Sequence, residues 1–209
     1  DKDLSDKGVM HEGEYSVLLG LRGMPAEAEE IMVSRNILLA EKIRARIHIA
    51  HVSTKGSVAR IREAKKRNVR ITAEVTPHHL LLTDEAVQSF DTNLKVNPPL
   101  RSRKDVDALT EAVHDGVIDV IATDHAPHAP DEKDMEFDYA PFGINGLETA
   151  VPLLLNHLVH GGIIPLEKFI SMFSTHPARI LRLEDKGKLC IGADADLTIL
   201  DLNRKSVVN

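Results

Sequence analysis

Short apolar segments alternate with amphipathic ones along the middle of this 209-residue chain. The apolar segments have the length and composition of buried strands, and the segments between them carry apolar residues at helical spacing. Strands that alternate with amphipathic helices predict a parallel sheet with right-handed crossovers, which is an α/β fold. The predicted strands lie at residues 47–52, 69–75 and 117–121.

Three parallel strands are too few to close a barrel, and an open sheet of three would leave both of its edges exposed. We therefore expect the chain to be part of a larger α/β fold. Beyond residue 183 the composition changes, and the segments 186–189 and 195–200 predict short strands joined by a turn at Gly192. The predicted organisation is an α/β unit at residues 1–183 and the start of a small β domain at residues 184–209.

The composition narrows the range of partners and compartments. Lys and Arg number 26 against 32 Asp and Glu, a net charge of −6, and no segment concentrates the basic residues, so nucleic acid is not an expected partner. We find no secretory leader and no apolar stretch long enough to cross a bilayer, so no membrane association is expected. Cys190 is the only cysteine and cannot form an internal disulfide, which indicates the reducing cytoplasm.

Polar residues follow the predicted strands at their carboxyl ends. His51 ends the first strand, Asn97 precedes two prolines between the second and third, and Asp124 and His128 follow the third in the segment 122–128. In parallel α/β sheets this edge is where ligands bind. The two prolines are expected to hold Asn97 on an extended backbone. Because His and Asp are the ligands of hydrolytic zinc sites, the pattern favours a metal-dependent hydrolase.

Each of these residues also has a structural interpretation. Asp, His and Pro are ordinary turn residues, and a single His at a strand end is more often structural than a ligand. His48 and His51 lie three residues apart, so on a strand they would face opposite sides. We expect His51, which shares the side of Ile47 and Ile49, to face the interior of the fold, and we expect Glu74 to be a polar interior residue. His78 and His79 follow a proline, and their role could be simply to anchor the turn.

Four motifs occur in the order and spacing of a known enzyme family. They are 49–54 (IAHVST), 74–80 (EVTPHHL), 95–101 (KVNPPLR) and 122–128 (ATDHAPH), and the segments 142–149 and 192–197 continue the pattern. In these motifs the chain resembles the class I bacterial dihydroorotases of the amidohydrolase superfamily over essentially its whole length. The resemblance implies the carboxyl-terminal part of a (β/α)8 TIM-type barrel, about strands six to eight, at residues 1–183, followed by the start of the small β domain.

The resemblance also implies a role for each matching residue. Asp124 corresponds to an aspartate that binds zinc and serves as general base and acid, and His51 corresponds to a histidine that binds zinc. The residues that match substrate contacts of the family are Asn97, His128, Phe142 and Gly143. The cofactor implied is zinc, with one or two ions in each complete site.

The reaction implied is the reversible conversion of dihydroorotate and N-carbamoyl-L-aspartate in pyrimidine biosynthesis, in which water activated by zinc attacks the ring amide. Further ligands of the family, namely a His-x-His pair, an acidic or modified lysine residue and another histidine, have no counterpart here, so we expect residues 1–209 alone to be inactive. Because about three of the eight barrel strands are present and both sheet edges would be open, we also expect residues 1–209 alone to be aggregation-prone. The partners implied are further copies of the chain in a homo-oligomer and aspartate carbamoyltransferase. Two alternatives stay open: an allantoinase- or hydantoinase-like hydrolase, and a non-catalytic dihydroorotase-like subunit retained for assembly.

Overall fold

Residues 1–205, which the computed structural model describes, form an α/β structure. The strands are β1 (Met10–His11), β2 (Gly23–Met24), β3 (Ile47–Ile49), β4 (Ile71–Val75) and β5 (Val120–Ile121). The α-helices are α1 (Glu14–Leu19), α2 (Glu27–Ile43), α3 (Lys55–Lys66), α4 (Pro77–Leu81), α5 (Arg103–Asp115), α6 (Pro130–Lys133), α7 (Leu147–Leu154), α8 (Leu166–Ile170) and α9 (His176–Leu181). Two 3-10 segments, Asp84–Ser89 and Thr92–Leu94, and two π-helical segments, Leu155–His160 and Ser171–Thr175, lie between them.

The three predicted strands form one parallel sheet in the order β3-β4-β5. Ile47 pairs with Ile71, and Glu74 pairs with Val120. The prediction of a parallel α/β arrangement is therefore confirmed, although all three strands are shorter than predicted. A second parallel pair, β1 with β2, was not predicted because its strands are too short to show a period.

One face of the sheet packs against helices, and this contact forms the main apolar core. Ile49, Ala73, Val75 and Ile121 of the strands belong to a single buried cluster. Side chains of this kind contribute about 1.5–3 kcal/mol each when fully buried. The helix residues that complete the cluster include Ile37 of α2, Ile61 of α3, Leu109 of α5 and Leu154 of α7.

The opposite face of the sheet is polar. His48 and Thr72 are paired across β3 and β4, so their side chains share this face. His48 Nδ1 lies 2.8 Å from Thr72 Oγ1. Glu74 follows Thr72 on the same face, since alternate residues of a strand point the same way. The polar interior position predicted for Glu74 agrees with this arrangement.

Hydroxyl caps begin the helices that follow β3 and β4. The Thr54 side chain accepts a hydrogen bond from Ser57 N and begins α3. The Thr76 side chain accepts from His79 N and begins α4. Both threonines are fully buried. Each cap fixes the turn that leaves the carboxyl end of its strand, where the candidate site residues lie.

The carboxyl-terminal segment differs from its prediction. Residues 184–205 contain turns, bends and irregular backbone, and the strands predicted at 186–189 and 195–200 are absent from this described stretch. A strand requires a neighbouring strand to hydrogen-bond with, and within residues 1–205 no strand pairs with these segments. The end of the predicted β domain, residues 206–209, lies outside the described residues, so the domain division stays a prediction. Within residues 1–205 no helix combines the length and apolarity needed to cross a membrane.

Candidate active site

His51 and Asp124 meet at the carboxyl edge of the sheet. His51 Nε2 lies 3.5 Å from Asp124 Oδ1, and their side chains are 30% and 32% exposed. Both residues lie just beyond their strands and have left-handed backbone, with φ of 52° and 48°. Few residues other than glycine adopt this conformation, and such residues cluster at functional sites. The two turns aim an imidazole and a carboxylate at the same point.

Glu74 lies between two histidines on the polar face. Its Oε2 is 2.9 Å from His48 Nε2, and its Oε1 is 2.9 Å from His51 Nδ1. The prediction that His48 and His51 face opposite sides was wrong. β3 ends at Ile49, and the left-handed turn at His51 brings its ring back to the face of His48. The prediction that His51 shares its side with Ile47 and Ile49 was wrong for the same reason, since both isoleucines pack against the helix-side core.

The contacts around Glu74 fix the charge states of this group. Burial opposes ionisation of Glu74, yet the contacts from His48 and His51 outweigh it and lower the pKa of the carboxyl to about 2. The contact with Glu74 raises the pKa of His51 against the effect of burial, and the Asp124 carboxylate adds to the rise. His51 Nδ1 is buried and finds no aligned hydrogen-bond partner within residues 1–205, so its 2.9 Å approach to Glu74 is an ion-pair contact. A carboxylate behind a histidine orients the ring and makes its other nitrogen a better ligand.

The His51–Asp124 pair fits zinc as part of a ligand set. Zinc takes imidazole nitrogen and carboxylate oxygen at about 2.0–2.2 Å, which places two donors of a tetrahedral site about 3.4 Å apart. The observed separation is 3.5 Å. Within the described residues 1–205, no group of three or more His, Cys, Asp or Glu side chains is arranged to hold a metal ion. Because a catalytic zinc takes three protein ligands, the pair would by itself supply only a portion of such a set.

Asn97 lies close to His51. A cavity of about 310 Å³ is lined by both His51 and Asn97. The backbone bends at Asn97 and Pro98 and is not extended as predicted. His79 holds this bend: its Nε2–H donates to the Pro98 carbonyl at 2.9 Å, and its Nδ1 accepts from the Thr76 hydroxyl at 2.7 Å. The structural interpretation of His79 as an anchor of the turn agrees with these bonds.

The remaining candidate residues form a second group. His128 Nε2–H donates to the Phe142 carbonyl at 3.0 Å. The Gly143 amide donates to the Lys95 carbonyl at 2.8 Å. This hydrogen bond joins the loop at Phe142 and Gly143 to the segment that leads to Asn97. The structure thus brings His51 and Asp124 together at the strand ends, with Asn97 in a cavity that His51 also lines, and it places His128, Phe142 and Gly143 together in the loop that follows Asp124.

The segment 122–128 contains both candidate site residues and a residue with a structural role. His125 Nδ1 accepts a hydrogen bond from the Gly146 amide at 3.1 Å, at the beginning of α7. His125 also forms an isolated parallel bridge with Ile144. This histidine is therefore a capping residue, as the turn interpretation of the segment suggests, while Asp124 points to His51.

Sequence reasoning missed a buried ion pair behind His51. Arg101 is 3% exposed in its side chain, its Nε donates to Ser53 Oγ at 3.0 Å, and its Nη2 lies 3.9 Å from Glu29 Oε2. Glu29 in turn accepts from the Ser53 and Thr54 amides at 3.1 and 3.3 Å. The pair fixes the backbone directly after His51. No periodic signal in the sequence marks these partners, because polar contacts between distant residues leave no period.

A parallel α/β sheet with an imidazole and a carboxylate at its carboxyl edge is the arrangement found in α/β-barrel metal-dependent hydrolases. The amidohydrolase family model matches residues 14–209. The chain belongs to the amidohydrolase family.

Curated relatives are similar over nearly all of the chain. The dihydroorotase of Pelotomaculum thermopropionicum is 61% identical over 202 residues, which are 96% of this chain and 47% of that protein. The dihydroorotase of Endomicrobium trichonymphae is 54% identical over 97% of this chain and 48% of its own length. The chain therefore spans about half the length of the curated relatives it matches.

Solved structures agree on the fold. The L-hydantoinase of Arthrobacter aurescens superposes with a TM-score of 0.78 at 29% identity, over 82% of this chain and 39% of that one. The dihydropyrimidinase of Brevibacillus agri gives a TM-score of 0.77 at 28% identity, over the same shares of 82% and 39%. The prediction of a partial (β/α)8 barrel is thereby confirmed, and the family generally uses a metal, typically zinc.

Proposed function

We propose that this chain provides part of the active site of a dihydroorotase, which interconverts dihydroorotate and N-carbamoyl-L-aspartate in pyrimidine biosynthesis. The observation that carries the proposal is the 61% identity to a dihydroorotase along 96% of the chain. The solved hydantoinase and dihydropyrimidinase structures share the fold at 25–31% identity, which makes hydantoins and dihydropyrimidines the competing substrates.

His51 and Asp124 would hold zinc, which supplies electrophilic polarisation of the amide carbonyl and a lowered pKa for bound water. Asp124 accepts the proton of the attacking water at its carboxylate and returns it to the ring nitrogen that leaves. In the reverse direction the same carboxylate takes the proton from the carbamoyl nitrogen. Glu74 holds the His51 ring from behind through the 2.9 Å contact and keeps its Nε2 turned toward Asp124.

Asn97 and the loop at His128 would bind the substrate. The Asn97 side chain is exposed at the rim of the cavity beside His51 and offers an amide donor and acceptor. His128 Nε2 is occupied by the Phe142 carbonyl, whereas its Nδ1 faces the exposed Glu132 carboxylate at 3.5 Å. Nδ1 is the nitrogen that can exchange its partner for a substrate group. The Phe142 and Gly143 backbone lies against the same ring.

Completion of the site requires ligands beyond residues 1–205, since a third protein ligand is not grouped with His51 and Asp124 in that range. Exposed apolar residues on α2 support a larger fold: Ile31, Leu38 and Ile43 are 49%, 64% and 71% exposed.

We also propose zinc as the metal, the cytoplasm as the compartment, and homo-oligomers and aspartate carbamoyltransferase as partners. The compartment is supported by the single free Cys190.

The test joins this chain to the part of the Pelotomaculum dihydroorotase that lies outside the matched region. The zinc-loaded protein is assayed with dihydroorotate, hydantoin and dihydrouracil. We expect kcat/KM for dihydroorotate to exceed the other two by at least about 100-fold, because a site built for the ring carboxylate leaves its polar groups unpaired with the other rings. Preference for hydantoin or dihydrouracil would overturn the dihydroorotase proposal, and loss of all activity with zinc bound would favour a non-catalytic assembly subunit.

A further inference from the structure

The loop after Asp124 is long and has little regular structure. It runs from residue 125 to residue 146 and contains the four-residue helix α6 (Pro130–Lys133) and the bridge between His125 and Ile144. A connection of this length needs other contacts to hold one conformation, and long ordered loops are usually functional. Lys133, at the end of α6, lies in the middle of those contacts.

The Lys133 ammonium is fully used by backbone carbonyls. Its Nζ donates to Thr92 O at 3.0 Å, to Pro141 O at 2.8 Å and to Gly143 O at 2.8 Å. An ammonium has three N–H donors, so all of them are occupied. Two of the three acceptors flank Phe142, and the third belongs to the segment that leads to Asn97. One side chain therefore joins the loop after Asp124 to the loop that carries Asn97.

A second lysine, Lys95, also holds these two loops together. Lys95 is 2% exposed, its Nζ donates to Asp138 O at 3.0 Å, and it lies 4.7 Å from the centre of the Phe142 ring. The Lys95 carbonyl accepts from the Gly143 amide at 2.8 Å. Charge-assisted bonds to carbonyls and a cation on an aromatic face both hold the Phe142–Gly143 backbone in one place.

Gly143 shows how closely this backbone approaches the site. Its φ is 153°, and a Cβ built there would lie 2.5 Å from Ala126 O and 2.9 Å from the His128 ring. The position of the Gly143 peptide relative to His128 thus depends on a tight fit. Since Lys133 holds the carbonyls on both sides of Phe142, a small movement of its head group would move this peptide against the ring.

We infer that Lys133 is a positioning residue, which sets the direction of the Phe142 and Gly143 peptide groups toward the substrate by gripping the carbonyls on either side of Phe142. This inference rests on the proposed function for the identity of the substrate. The hydrogen bonds from Lys133 to the three carbonyls do not depend on the identity of the substrate. Lys133 acts through the loop backbone and carries no step of the reaction.

The test compares Lys133→Met, which keeps the length of the side chain and removes all three donors, with Lys168→Met. Lys168 also donates to a carbonyl, His114 O at 2.7 Å, but it joins α8 to α5 away from the site. Both variants are prepared in the protein completed with the rest of the barrel, and amide hydrogen exchange is followed in peptides that cover residues 137–146. We expect Lys133→Met to speed exchange there at least about tenfold, with exchange in β4 and α3 unchanged.

Kinetics separate a positioning role from a purely structural one. In Lys133→Met we expect KM for dihydroorotate to rise about tenfold or more, with kcat changed by less than about threefold, whereas Lys168→Met keeps both values. Unchanged exchange in residues 137–146 would overturn the inference, and so would faster exchange with an unchanged KM. If the completed protein does not act on dihydroorotate, the proposed function fails, and the exchange measurement together with binding of the substrate actually found decides the role of Lys133.

Discussion

Acid should destabilise this fold through His79. The residue is completely buried, its Nε2–H donates to the Pro98 carbonyl, and its Nδ1 accepts from the Thr76 hydroxyl. Burial lowers the pKa of His79 from 6.5 to about 3, the Pro98 carbonyl opposes the fall, and the Arg101 and His51 charges add to it. The folded protein therefore keeps His79 neutral at a pH where the unfolded chain protonates it.

The direction and size of the effect follow from this difference. The unfolded chain binds the proton more readily between pH 6.5 and about 3, so the stability is present above pH 6.5 and is lost as the pH falls toward 3. Between pH 7.5 and pH 5.0 the loss from His79 alone is about 2 kcal/mol. In the completed protein, which is about twice the length of this chain, that corresponds to a fall in Tm of about 2–4 °C.

Thermal unfolding of the completed protein, followed by circular dichroism at the two pH values, checks the prediction. His79→Gln keeps an amide donor near the Pro98 carbonyl and removes the titration, so its fall in Tm should be smaller than that of the wild type by about 2–4 °C. His114→Gln, which replaces an exposed histidine of α5, is the control and should retain the full acid response. If His79→Gln lost as much stability as the wild type between these pH values, the reasoning from burial would be refuted.

Three further predictions concern the proposed site in the completed protein. Asp124→Asn keeps the shape and removes the basic carboxylate, so turnover should fall by about 10²–10⁴, and near-wild-type kcat would remove Asp124 from the proton transfer. His51→Asn should reduce the zinc bound per chain measured by elemental analysis while the far-UV spectrum stays the same; unchanged metal content would return His51 to a structural role. Gly143→Ala should raise KM and lower Tm because its Cβ would clash with Ala126 O and the His128 ring, and a variant with wild-type values of both would contradict the close fit.

The sheet and the position of Asp124 could be predicted because both depend on local pattern. In β4, buried Ile71, Ala73 and Val75 alternate with less buried Thr72 and Glu74, as the period of two in the sequence predicted. A parallel sheet then places the residues after each strand at one edge, which brings Asp124 near His51. The order of the three strands was enough for both conclusions, although His51 and Asp124 follow the two outer strands of the sheet.

The support of the site could not be predicted because its partners are distant in the chain. Lys133 reaches Thr92, 41 residues away, and Arg101 reaches Met24, 77 residues away. Such polar contacts leave no period in the sequence. The left-handed turn at His51 also had no marker, since glycine or asparagine usually signals that conformation and here a histidine adopts it. That turn alone reversed the predicted side of the ring.

The central claim is that His51 and Asp124 bind one zinc ion together at the carboxyl edge of the sheet. Anomalous diffraction from crystals of the zinc-loaded, completed protein, recorded on both sides of the zinc absorption edge, tests it most directly. We predict a zinc peak about 2.0–2.2 Å from both His51 Nε2 and an Asp124 carboxylate oxygen, with the remaining ligands from outside residues 1–205. A zinc ion bound elsewhere, with His51 Nε2 and Asp124 still facing each other without it, would contradict the account.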